Sequence, residues 1–206
     1  MKLTFLSHAL VVASLGTVTL TAQAADFTFS GNVAFNTDVV NITFDLASAS
    51  TNVDVWSSSW QSGLNFDPTA AVWARSGNGY TLLGEVDDDD TVGAGQGAFD
   101  AGLHFASLAA GQYLVTLAAS PNYANGSVLA AGFRLDGSVP IRIADWTQPG
   151  SNPNFPDQKG TFWQVNLSNV SQAAVIVPVV PEPSTWLLMA LGLAACGAGA
   201  ARSRRG

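Results

Sequence analysis

Four consecutive aspartates, Asp87 to Asp90, form the densest cluster of ionisable groups in the chain. Adjacent carboxylates repel one another unless water or a cation screens them. Oxygen-rich loops of this kind suit calcium, which accepts oxygen ligands in adaptable geometry, whereas magnesium demands a tighter octahedral shell. Asp100 follows within loop reach, so Asp87, Asp88, Asp89, Asp90 and Asp100 make up the candidate calcium set, with Glu85 just ahead of them. The run lacks the Asp-x-Asp-x-Asp-Gly spacing of a calcium-binding helix-loop-helix. A second reading therefore stays open, a solvated acidic loop that holds no ion.

Aromatic residues offer a different chemistry. Trp56 and Trp60 flank Ser57-Ser58-Ser59 and share strand parity, and Trp146 lies in a Pro/Asn-rich segment. These three are the candidate sugar contacts, because an exposed indole stacks on a sugar face. Trp73 and Trp163 sit inside strand patterns and read as core. The competing reading for the first three is packing at the core or its rim.

Nucleophilic and cofactor chemistry finds little footing. His8 falls in a segment expected to be removed, which leaves His104 between Leu103 and Phe105, on the opposite face of a strand. The chain has no Gly-x-Ser-x-Gly elbow, His-Glu-x-x-His pair or phosphate-binding loop. Gly93-Ala94-Gly95-Gln96-Gly97 has spaced glycines but opens no helix, so it reads as a flexible loop. Cys196 is the only cysteine, which excludes an intramolecular disulfide. The expectation is a protein that is not an enzyme. A secreted hydrolase with an unrecognised pair of carboxylates remains an alternative.

The elements that must position these residues are strands. Phe27, Phe29, Val33 and Phe35 share one parity, as do Val40, Ile42, Phe44 and Leu46. The same alternation recurs in Tyr113, Val115 and Leu117, and in Trp163, Val165 and Leu167. Period two with aromatic and β-branched residues defines half-buried strands. Turn chemistry separates them, for example Asp67-Pro68, Gly77-Asn78-Gly79, Asn125-Gly126 and Asp136-Gly137. The predicted fold class is all-β, a jelly-roll-like β-sandwich over residues 25–179. Phe29, Ile42, Phe44, Val72, Leu103, Phe105, Tyr113, Val115 and Leu117 are expected inside it. This body holds fourteen acidic residues against Arg75, Arg134, Arg142 and Lys159, a net charge of about −10. Such a surface repels nucleic acid and anionic lipid and tolerates divalent cations.

Both ends read as addresses. Lys2 and the apolar stretch Leu3 to Leu20 precede Ala22-Gln23-Ala24, the pattern of a signal peptide over residues 1–24 cut between Ala24 and Ala25. The Sec machinery and a signal peptidase are the partners this implies. At the other end, residues 180–206 run from Val180-Pro181-Glu182-Pro183 through an uncharged span, about 185–201, to Arg202, Arg204 and Arg205. The span is at the short end for a transmembrane helix, with Trp186 at one interface and the arginines on the cytoplasmic side.

This order of proline punctuation, apolar span and basic stop resembles the PEP-CTERM sorting signal of Gram-negative bacteria. In that family the residues matching Pro181, Glu182 and Pro183 are the recognition motif of an exosortase, a membrane-embedded cysteine protease. The resemblance implies an exported protein, transiently anchored in the inner membrane and then moved to the cell surface or beyond it. It also implies a link to exopolysaccharide or biofilm. A second resemblance covers Asn36 to Ala119. Asp54-Val55-Trp56, Asp67-Pro68 before a strand, the acidic run, and Ala110-Gly111-Gln112-Tyr113 follow the order of bacterial pre-peptidase C-terminal-type domains, small jelly-roll modules of secreted proteins. That family implies no enzymatic activity, and some members hold calcium in acidic loops. The expected function is a noncatalytic cell-surface or matrix protein, with a carbohydrate-binding module as the alternative of defined ligand.

Overall fold

The computed structural model describes residues 24–150 and 158–176, and its nine strands run antiparallel in two sheets. The expected signal peptide through Gln23, the Pro181-Glu182-Pro183 motif and the expected span at 185–201 lie outside the described residues. Among the described residues, no helix is long and apolar enough to cross a membrane.

In chain order the strands are β1 (Ala25–Asn32), β2 (Val39–Leu46), β3 (Ser50–Ser57), β4 (Pro68–Ser76), β5 (Gly79–Val86), β6 (Gly102–Leu108), β7 (Gly111–Ala119), β8 (Phe162–Val170) and β9 (Gln172–Val175). One sheet has the order β1-β8-β3-β6 and the other β5-β4-β7-β2-β9. The pairings explain that order. β1 lies against β8, β2 against β7, β3 against β6 and β4 against β5. This is one long antiparallel hairpin rolled up, so that β3 also meets β8 and β4 meets β7. Rolling is what gives a jelly roll its two facing sheets, and β9 adds a short fifth strand beside β2. The β-sandwich expected from alternation is therefore the fold observed.

Every second side chain of the central strands points between the sheets. Ile42 and Phe44 of β2, Val53 and Val55 of β3, Val72 of β4, Val115 of β7 and Leu167 of β8 are fully buried. Phe44 stacks on Tyr113 with ring centroids 4.9 Å apart. Three residues expected inside are only half-buried, namely Phe29, Leu103 and Phe105, though each packs against the core. They stand on β1 and β6, the two edges of the four-stranded sheet, where one flank has no neighbouring strand. His104 points away from Leu103 and Phe105, as expected, and its side chain is exposed.

Alternation fails on β4 and β7, where both faces are buried. Ala71, Trp73 and Leu114 face outward, but Tyr80, Leu82, Ala124, Leu129 and Phe133 pack over them. The segment after β7 thus folds back as a cover on the five-stranded sheet. Trp73 donates its Nε1–H to Thr116 Oγ1 at 2.9 Å, which satisfies the one polar atom of that buried indole.

Candidate functional site

The β4–β5 hairpin turns at Gly77-Asn78, and its register sets Ala70 opposite Val86. The residue before β4 and those after β5 consequently share one end of the sandwich. Asp67 occupies the first position, and Asp87 and Asp88 the others. One carboxylate oxygen from each lies within 4.8 Å of the other two. β7 ends at the same place, since Pro68 pairs with Ala119.

The surrounding hydrogen bonds hold this corner rigidly. Gln148 accepts the Asp67 N–H at 3.0 Å and donates through Nε2 to the carbonyls of Asp67 and Ser120. Ser120 Oγ and the Tyr123 hydroxyl both donate to Asp87 Oδ2, at 3.0 and 2.6 Å. The remaining oxygens are less well served. Asp67 is 8% exposed, and both its Oδ1 and Asp87 Oδ1 are buried without a hydrogen-bond partner. Burial, then the charges of Asp87, Asp88 and Asp100, push the Asp67 carboxyl up to about 8. Burial, followed by the Asp87 charge, also raises Asp88. Glu85 is raised chiefly by burial, against the opposing effect of the Ala124 N–H that it accepts at 2.8 Å.

The five-aspartate set expected from the sequence is therefore not the set that assembles. Asp87 and Asp88 belong to the corner, whereas Asp89, Asp90 and Asp100 are employed or placed otherwise. Asp89 Oδ1 accepts the N–H and hydroxyl of Thr91, which hold its carboxyl below the usual range. Asp90 is exposed. Asp100 is fully buried and structural. Its Oδ1 accepts from Ser57 Oγ, the Ser59 N–H and the Trp60 N–H, and its Oδ2 from the Gly97 N–H at 2.9 Å. Asp67 was not singled out from sequence. The available signal was the hairpin itself, because counting back from the Gly77-Asn78-Gly79 turn brings Asp67 alongside Asp87 and Asp88 at its open end, with the β-bulge between Val72 and Trp73 shifting the count by one.

The sugar-contact reading of Trp56, Trp60 and Trp146 also meets a different arrangement. Trp60 is 3% exposed and Trp146 is 9% exposed, so neither offers a free indole face. Trp56 is half-buried and donates to the Ala94 carbonyl at 3.1 Å. The reason is the glycine-rich loop. Gly93 lies on the Trp56 ring and Gly97 on the Trp60 ring, so closely that a Cβ at either would overlap the indole. Gln96 closes this loop by accepting the N–H groups of Val92 and Gly93 and donating to the carbonyls of Asp89 and Ala101. The segment read as a flexible loop is a packed lid on two tryptophans.

His104 Nδ1 lies 2.6 Å from Asp54 Oδ1, and Ser168 Oγ donates to the other oxygen of the same carboxylate at 3.3 Å. A serine nucleophile needs its hydroxyl on the imidazole and the carboxylate behind. Here the carboxylate stands between the two.

The class of protein this defines is an all-β jelly-roll domain with an acidic corner and export signals expected at its ends. Residues 179–205 match the PEP-CTERM protein-sorting motif. The chain thus carries the tail of a PEP-CTERM exosortase substrate, and the motif supports an exported protein anchored transiently through its C-terminal region. No curated protein matches the chain. Among solved structures, that of the Yersinia pseudotuberculosis-derived mitogen is similar at 10% identity and a TM-score of 0.37, covering 78% of this chain and 92% of that one. That level of likeness bears on no functional question.

Proposed function

We propose that this protein is a noncatalytic surface or matrix component, delivered by an exosortase-type protease and acting together with exopolysaccharide. The match over residues 179–205 is the observation that carries the proposal. The described polar residues support it, since Asp100 and Ser57 maintain a buried loop and Ser168 faces a carboxylate rather than the imidazole of His104. The β-sandwich is the delivered cargo, and its acidic surface keeps it soluble outside the cell.

Processing in the native host tests this reading. Mass spectrometry of the surface or culture fraction should find chains that lack residues 187–206. A variant with Pro181, Glu182 and Pro183 all replaced by alanine should stay in the membrane fraction with an intact C-terminus. Surface-localised parent chain that still ends at Gly206 would refute exosortase sorting. Binding of the processed protein to the host's own exopolysaccharide fraction separates a matrix role from simple release.

A further inference from the structure

The corner of the sandwich contains a contradiction that the protein's own groups leave unresolved. Asp100 shows how this fold ordinarily treats a buried carboxylate, with four donors directed at its two oxygens. Asp67 is 8% exposed, yet its Oδ1 receives no donor. Asp87 is satisfied on one side only, with Ser120 and Tyr123 on Oδ2 and nothing on the buried Oδ1. A buried oxygen left without a partner costs about 1–3 kcal/mol, and more when it is charged. Among the described residues, no lysine or arginine forms an ion pair with these carboxylates; the ion pair present there is His104 with Asp54.

We propose that Asp67, Asp87 and Asp88 bind a calcium-class divalent cation at this end of the sandwich. Calcium–oxygen distances are about 2.3–2.6 Å, so two ligands across one ion stand up to about 5 Å apart. Three oxygens within 4.8 Å of one another fit that shell. Magnesium, with bonds of about 2.0–2.1 Å, demands a strict octahedron and sheds its water reluctantly, so a flexible all-oxygen corner favours calcium on chemical grounds. Asp67 supplies the inner wall of the site. Asp87 is oriented by Ser120 and Tyr123, as an outer partner orients a metal ligand. Asp88 is exposed and gives the ion its entry, and water completes the shell on that side. Three strand ends meet here, those of β4, β5 and β7, so a bound ion ties together the hairpin and the start of the segment covering the five-stranded sheet.

Titration of the purified full-length chain in mild detergent tests the site, with calcium chloride followed by calorimetry and by thermal melting at fixed ionic strength. The expected result is saturable binding of one calcium per chain and a higher melting temperature that chelator reverses. Asp88→Asn should abolish the heat and the melting shift at calcium concentrations that saturate the parent, while its melting temperature in chelator stays at or slightly above that of the parent. Asp67→Asn should do the same, and if that variant fails to fold, Asp88→Asn decides. Asp90→Asn should keep the full response. Three outcomes overturn the proposal: no saturable binding, an equal response to magnesium, or a calcium response that survives Asp88→Asn. The first means that a proton or water occupies the corner, the second that the site does not select calcium, and the third that calcium binds elsewhere on the chain.

Discussion

Asp67 and Asp100 are both buried aspartates, but they experience opposite surroundings. Donors surround Asp100, while Asp67 faces other acids, so in chelator a proton is what can neutralise it. The folded-state carboxyl stands at about 8 against an ordinary value of 3.8, which means that the folded chain holds a proton the unfolded chain has released. Stability falls with rising pH wherever the folded state binds more protons. The contribution is complete below about pH 4 and is lost as pH rises toward 8. Burial sets this first, followed by the charges of Asp87 and Asp88 after β5 and of Asp100 before β6. In chelator, the urea midpoint of the parent should therefore drop between pH 5 and pH 8. Asp67→Asn, which is neutral at every pH, should flatten that slope, and equal slopes for the two proteins would show that Asp67 is not the titrating group. The four-aspartate run was plain in the sequence, but its most consequential partner was not. Asp67 lies twenty positions upstream of Asp87, and only the hairpin register brings the two together.

Elements were legible to different degrees. Strand alternation in β2 follows from burial on one face, and Ile42 and Phe44, like Val115 of β7 and Leu167 of β8, sit where the period placed them. Period alone could not reveal that β4 and β7 would be covered on both faces, because the cover, with Leu129 and Phe133, comes from the irregular segment after β7, where no alternation marks its return over the sheet. The glycine-rich loop was misread for a similar reason. Glycine allows freedom, but it also allows a backbone to lie flat against a ring, and the partners, Trp56 and Trp60, belong to an earlier part of the chain. A test follows at this scale. Gly93→Ala drives a methyl into Trp56 and should destabilise the protein by about 1–3 kcal/mol, the usual range for overpacking. Tryptophan emission should shift to the red as the indole is uncovered. Ala94→Ser, at an exposed neighbour whose carbonyl is what Trp56 uses, should change neither. Equal stability of Gly93→Ala and parent would mean that the loop does not depend on this contact.

At the scale of the whole molecule, the delivery tail and the cargo meet at β9. This strand pairs with β2 through Ile42 to Asp45, and the Ile176 N–H donates to the Asn41 carbonyl at 2.8 Å. Ala173 and Val175 pack against the core from this edge. Without β9, the backbone groups of β2 would form an open sheet edge, the kind of surface that recruits other chains. The sorting motif begins at residue 179, beyond the last of these contacts. Cleavage near Pro181 to Pro183 therefore leaves the sandwich intact, whereas a cut a few residues earlier does not. A chain ending at residue 178 should unfold at the same urea concentration as the full-length protein. A chain ending at residue 171 should lose about 1–3 kcal/mol, since it gives up several ladder hydrogen bonds and two packed side chains, and it should associate through the exposed β2 edge. Urea melts and light scattering on the two truncations, both carrying the same replacement N-terminus, distinguish these outcomes. If the shorter chain matches the longer one in both, β9 is an accessory to the tail rather than the closing strand of the cargo.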